Sequence, residues 1–138
     1  MKNTTALPHI LIVGDQANMV QLLTELVNAG GYESEAVASG DEALSVATSH
    51  RSAIALVDLA PSTCDSSSLL RALHAVDPDL SVILISRRGS LEEVRSAMLG
   101  GAFDFYTEPF DKQELLASIA AALANRQVPG DRLEVSRV

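Results

Sequence analysis

A parallel α/β sandwich built from five strand–helix units is what these 138 residues spell out. Three observations carry that reading. Short apolar runs such as Ile10–Val13, Ile54–Val57 and Leu80–Ile85 show no polar alternation, as strands buried on both faces do. The stretches between them carry apolar residues at helical spacing. The two patterns alternate through short connections, which calls for parallel strands, right-handed crossovers and helices on both faces of the sheet.

The elements follow in order. Residues 1–8 are a polar lead-in ending at Pro8, and Ile10–Val13 is the first strand, closed by Gly14 and Asp15. Met19, Leu22, Leu23, Leu26 and Val27 form one helical stripe, and Gly30–Gly31 stops it because glycine takes the left-handed cap conformation cheaply. Tyr32–Ala38 is a second strand of mixed polarity, suited to an edge, and Gly40 and Asp41 open a second helix. Ile54–Asp58 is a third strand, followed by a loop with Pro61 and Cys64. A third helix, residues 66–76, carries Leu69, Leu70, Leu73 and Val76 on one face and ends at Asp77–Pro78. Leu80–Ile85 is the fourth strand and ends at Ser86. Ser90 and Glu93 have the spacing of a capping box, opening a helix through Leu91, Val94 and Met98 that stops at Gly100–Gly101. Ala102–Thr107 is the fifth strand, and Leu115, Leu116, Ile119 and Leu123 give the last helix its buried stripe. One domain is expected over residues 9–126, with 127–138 as a polar tail or linker stub.

Composition narrows the function. Apolar residues make up 47% of the chain and charged residues 20%, an ordinary globular balance rather than a disordered one. The net charge of -8 repels phosphate backbones and argues against direct nucleic-acid binding. No apolar run is long enough to span a bilayer, and the single cysteine suits a reducing compartment, so the expected location is cytoplasmic, without a membrane.

In an open parallel sheet, ligands bind beyond the carboxyl ends of the strands. Those ends supply Asp15, Asp58, Ser86 and the group Thr107–Glu108–Pro109. One aspartate after a strand is most often a helix cap. Two, Asp15 and Asp58, at the ends of apolar strands shift the balance toward a site. Paired carboxylates there suit a hard divalent cation such as magnesium, and a carboxylate can also be a nucleophile toward phosphorus.

In this order and spacing, Ile10–Asp15, Ala55–Leu59 with Pro61 and Asp65, Val82–Ser86 and Gly100–Phe110 resemble the receiver domain of bacterial two-component response regulators over about residues 9–126. The resemblance implies a flavodoxin-like (βα)5 three-layer sandwich with strand order 2-1-3-4-5. It implies a non-enzymatic signalling module that takes a phosphoryl group on Asp58 from a histidine kinase or phosphotransfer protein. It also implies magnesium at Asp15, Asp58 and the backbone carbonyl of Ala60. Ser86 would hydrogen-bond the phosphoryl group, Phe105 would be the aromatic switch residue, and Pro109 would follow a cis peptide. A homodimer through the last two helices and fifth strand is a further implication, and alanines such as Ala117, Ala120 and Ala121 would give that helix a flat surface.

Two departures from the family stand out. Gly14 replaces an acid, which weakens the metal site, and Glu108 replaces an almost invariant lysine. The site thereby gains a negative charge where a positive one is usual, so Glu108 is expected to point outward, to be protonated, or to help hold a metal. Arg87 and Arg88 follow Ser86. They are either solvated loop arginines or a source of the missing cation, folded over Asp58. These departures keep a second reading open, a phosphorylation-independent pseudo-receiver that serves as a protein-interaction module. A flavin or nucleotide carrier ranks lower, because no glycine-rich phosphate loop follows the first strand.

Overall fold

The computed structural model describes residues 9–49, 52–59, 66–87 and 89–127. Strands and helices alternate along them: β1 (His9–Val13), α1 (Ala17–Ala29), β2 (Glu33–Val37), α2 (Gly40–Ser49), β3 (Ile54–Leu59), α3 (Ser66–Val76), β4 (Ser81–Ser86), α4 (Leu91–Leu99), β5 (Asp104–Thr107) and α5 (Lys112–Gln127). The strands form one parallel sheet in the order β2-β1-β3-β4-β5. This is the flavodoxin-like order expected from the sequence. The expectations for Ala60, Pro61, Cys64, Asp65 and Arg88, and for residues 1–8, lie outside the described residues. Gln127, read from sequence as the first residue of the tail, is the last residue of α5.

The order follows from burial. β1, β3 and β4 have apolar residues on both faces and occupy the centre, whereas β2, with Glu33, Ser34 and Glu35, takes an edge. Alternate residues of each strand face opposite sides of the sheet. Ile10, Ile12, Ile54, Leu56, Ile83 and Ile85 pack on Leu23 and Val27 of α1 and on Leu115 and Ile119 of α5. Leu11, Val13, Ala55, Val57, Val82 and Leu84 pack on the other face, against α2, α3 and α4.

Helix starts match the capping chemistry. At α2, Ser39 Oγ accepts from Glu42 N (3.2 Å) and Glu42 Oε1 accepts from Ala38 N (2.8 Å). At α5, Asp111 Oδ1 accepts from the amides of Gln113 and Glu114. The end of α1 divides the labour between its two glycines: Gly30 stays right-handed, and Gly31 takes the left-handed turn with φ 93°.

The helix expected through Leu91, Val94 and Met98 forms as α4, but Leu91 and Met98 do not make its buried face. Ala97 is the residue of α4 that buries fully, while Leu91 and Leu99 are 84% and 79% exposed. A nine-residue helix resting on the sheet through a small side chain leaves its large residues to solvent. No helix among the described residues is long and apolar enough to cross a membrane.

Candidate functional site

Asp58 is the fifth residue of β3, at the carboxyl end of the central strand, and is only 3% exposed. Its Oδ2 is buried without a hydrogen-bond partner. Beside it β1 is followed by Gly14, whose amide donates to Val37 O (3.0 Å). A Cβ at Gly14 would stand 3.2 Å from Asp58 Cβ and 3.3 Å from Val20 Cγ2, so a neighbour would have to yield to admit any side chain. Asp15 follows, exposed, at the rim of the same hollow. That hollow has a volume of about 330 Å³ and runs from Asp58 toward Ser39 and Asp41, over a floor that includes Val13 and Leu69.

On the other side of Asp58, β5 ends at Thr107, and Glu108 N donates to Ser86 O (2.9 Å). Glu108 precedes a cis peptide to Pro109. Its side chain is 19% exposed, and its Oε2, like Oδ2 of Asp58, is buried without a partner. Of the three fates considered for Glu108, pointing outward is therefore not what is found: it turns in toward Asp58. With both groups ionised these oxygens have no donor between them. With one protonated, the two carboxyls lie near enough to share the hydrogen.

Arg87, just past β4, meets the segments that follow β5 and β1. Its Nε is 3.8 Å from Glu108 Oε1, and its Nη2 donates to Gln16 Oε1 at 2.9 Å. Gln16 belongs to the β1–α1 turn, and β3 lies between β1 and β4 in the sheet. A side chain bridging from the end of β4 to the end of β1 must pass above the end of β3, where Asp58 sits. Arg87 thus links the β1–α1 turn to the end of β5, close enough for its charge to act on Asp58.

Ser86, the last residue of β4, is 3% exposed. Its hydroxyl donates to Glu93 Oε1 (3.3 Å), and the same oxygen accepts from Gly89 N (3.1 Å). Ser90 caps α4 as expected, its Oγ accepting from Glu93 N (3.1 Å), but the Glu93 carboxylate turns to Ser86 and Gly89 instead of completing the reciprocal bond. Gly89 has φ 60°, and any Cβ there would collide with the Thr107 side chain and lie 3.6 Å from Cε1 of the Phe105 ring. One carboxylate therefore ties the Ser86 hydroxyl to a loop packed against Thr107 and Phe105, the latter half-buried on the α4 face.

Burial, then the Glu108 charge, push the Asp58 carboxyl up to about 6. Arg87 pulls it back, while Asp15 and the shared hydrogen with Glu108 add to the rise. The residues present suit magnesium. Asp58 has an unpartnered buried oxygen, Asp15 is a second carboxylate at the same rim, and magnesium keeps several waters and needs few protein ligands. Among the described residues no group of three or more His, Cys, Asp or Glu could hold an ion.

The structure thus gathers Gly14, Asp15, Asp58, Ser86, Arg87 and Glu108 around one end of the sheet, with Phe105 on β5 reached through the Gly89 loop. Sequence reasoning missed two participants. Glu93 was read as a cap alone, and Gln16 was passed over although it adjoins a strand-end aspartate.

Comparison with known proteins gives a consistent picture. The family model for the response regulator receiver domain matches residues 10–120. The chain is 31% identical over 119 residues to the transcriptional regulatory protein PrrA of Mycobacterium tuberculosis, a match covering 86% of this chain and 51% of PrrA. It is 31% identical over 106 residues to sporulation initiation phosphotransferase F of Bacillus subtilis, covering 77% of this chain and 86% of that protein. A CheY-like receiver domain protein from Methanospirillum hungatei superimposes with a TM-score of 0.80 at 26% identity, covering 88% of this chain and 98% of the other. The signal receiver domain of an HD domain-containing protein from Pseudomonas fluorescens superimposes with a TM-score of 0.82 at 25% identity, covering 96% and 98%. The chain spans about half the length of the PrrA relatives it matches.

Proposed function

Because this chain belongs to the response regulator receiver family, we propose that Asp58 is its phosphoryl acceptor and that Ser86 and Glu93 relay the event to the α4–β5 surface. The observation that carries this reading is the buried, unpartnered Oδ2 of Asp58, at the end of the central strand and flanked by Asp15 and Ser86. A desolvated carboxylate oxygen with no donor is a reactive one. In the transfer, an Asp58 oxygen forms a bond to phosphorus. The P–N bond to a donor histidine breaks, and the imidazole keeps the electron pair.

Receiver domains act with histidine kinases or phosphotransfer proteins, and in general they are signalling modules rather than enzymes. Asp15 and Asp58 are the residues to hold magnesium, which when bound would offset the negative charge of the phosphoryl oxygens. The new charge draws the Ser86 hydroxyl toward the phosphoryl group and away from Glu93. Glu93 and the Gly89 amide bonded to it are then no longer anchored to the end of β4, and the loop packed on Thr107 and Phe105 is released. This is a shift between two populations, biased by one charge. The exposed Leu91, Met98 and Leu99 of α4 and the exposed alanines of α5 offer the surface that changes, to a partner or to a second copy of the chain.

Glu108 keeps the second reading, a phosphorylation-independent interaction module, under test, because its buried carboxylate faces the acceptor. Incubation with acetyl phosphate and magnesium, followed by intact-mass measurement, separates the two. One phosphoryl adduct, absent from Asp58→Ala, is the expected result. An unmodified wild-type mass, under conditions that label an ordinary receiver, would sink the acceptor reading and leave the interaction module.

A further inference from the structure

We infer that Arg87 is the residue that binds the phosphoryl group in this site, held ready above Asp58 by Glu108 and Gln16. This rests on the acceptor reading of Asp58 and names the part of that site that would hold the product.

Asp15, Asp58 and Glu108 bring three carboxylates to one strand-end cluster, and a phosphoryl group on Asp58 would add further negative charge. Such a product needs a cation close by, and close charges count most in a partly dry site. Among the described residues, Arg87 is the cation whose field reaches Asp58. Its placement is not that of a loose surface arginine. The hydrogen bond to Gln16 and the ion pair with Glu108 fix the guanidinium from two sides, and the strand order puts the path between them over Asp58.

Both partners are ones the guanidinium can leave. The Glu108 contact, at 3.8 Å, is long for a charged hydrogen bond, and the Gln16 amide is neutral. The Arg87 side chain is 54% exposed, so it is free to swing without disturbing the core. Phosphoryl oxygens, more highly charged than either partner and matched to the guanidinium fork, would draw Arg87 away from them. Glu108 thus becomes intelligible as the group that holds the cation in the resting state. A cation and its counter-charge thus stand beside Asp58, the cation from the β4 end and the carboxylate from the β5 end.

The test is a set of binding titrations with beryllofluoride plus magnesium, a phosphoryl mimic that adds to a carboxylate, followed by fluorine NMR of the bound species. Wild type should give a bound signal that Asp58→Ala lacks. Arg87→Ala should weaken binding roughly ten- to a hundredfold, the size of a lost charge-assisted contact. Arg87→Gln, which keeps a long polar side chain without charge, should do the same. Arg87→Lys should recover part of the loss. Arg87→Ala combined with Glu108→Lys should recover most of it, because a cation then returns to the site from β5, whereas Glu108→Lys alone should gain much less over wild type, where Arg87 already supplies the cation. Equal binding by wild type and Arg87→Ala would overturn the inference and leave the acceptor reading standing, as would a double variant no better than Arg87→Ala. No bound signal in wild type would overturn both.

Discussion

The two ends of the sheet treat buried polar groups in opposite ways. At the amino end, Ser52 is 2% exposed and its hydroxyl meets His9 Nδ1 at 2.9 Å. His9 Nε2 reaches Glu35 at 3.4 Å, and its carbonyl accepts from Ala53 N at 2.9 Å. At the carboxyl end, Asp58 and Glu108 each bury an oxygen with no partner. Both ends belong to the same strands, so the difference is not one of fold quality. A polar group that only stabilises is paired, because an orphan costs about 1–3 kcal/mol. The two carboxylates at the acceptor are left unpaired while Ser86 beside them is bonded, and the rest of the sheet compensates.

The largest test of that contrast is Asp58→Asn. A carboxyl raised from 3.8 to about 6 binds more protons in the folded than in the unfolded chain between those values. Stability therefore falls as pH rises through that window, and the penalty stays in place above it. The substituted amide carries no charge, so Asp58→Asn should raise stability near pH 7.5 by up to about 3 kcal/mol and flatten the decline between about pH 4 and pH 6. Urea unfolding at several pH values measures both. A variant less stable than wild type at neutral pH would break the contrast.

Ser52→Ala is the counterpart at the paired end. It should cost about 1–2 kcal/mol while leaving phosphoryl labelling of Asp58 unchanged, as read by chemical denaturation and intact mass. Smaller still is Glu93→Gln. It keeps the shape of the link between Ser86 and Gly89 but removes its charge, and it should cost only about 0.5 kcal/mol. Its visible effect should be faster hydrogen exchange at the Gly89 amide in the unmodified protein, moving the resting loop toward the state phosphorylation produces.

Much of this was legible in the residues, for physical reasons that also mark where legibility stopped. Ile10–Val13 and Ile54–Val57 announce central parallel strands because burial on both faces leaves no alternation, and Glu33 and Glu35 announce an edge. Asp15, Asp58 and Ser86 could be placed together because strand ends in a parallel sheet share one side. Partner choice by long side chains could not be read. Glu93 has two nearly equivalent uses, the Ser90 amide or the Ser86–Gly89 pair, and tertiary neighbours decide between them. Arg87 likewise had a solvated and a folded-over reading, separated only once Gln16 and Glu108 were seen on its two sides. The outward turn of Leu91 and Met98 depends on how α4 rests on the sheet, which its spacing does not encode.

The central claim is that a charge placed on Asp58 is felt at the loop between β4 and α4, through the carboxylate of Glu93. The most direct measurement is hydrogen exchange of the Gly89 amide in unmodified and fully phosphorylated protein. The account predicts slow exchange while that amide donates to Glu93 and clearly faster exchange once Asp58 carries a phosphoryl group. Unchanged exchange at Gly89 in protein shown by mass to be fully phosphorylated would contradict it.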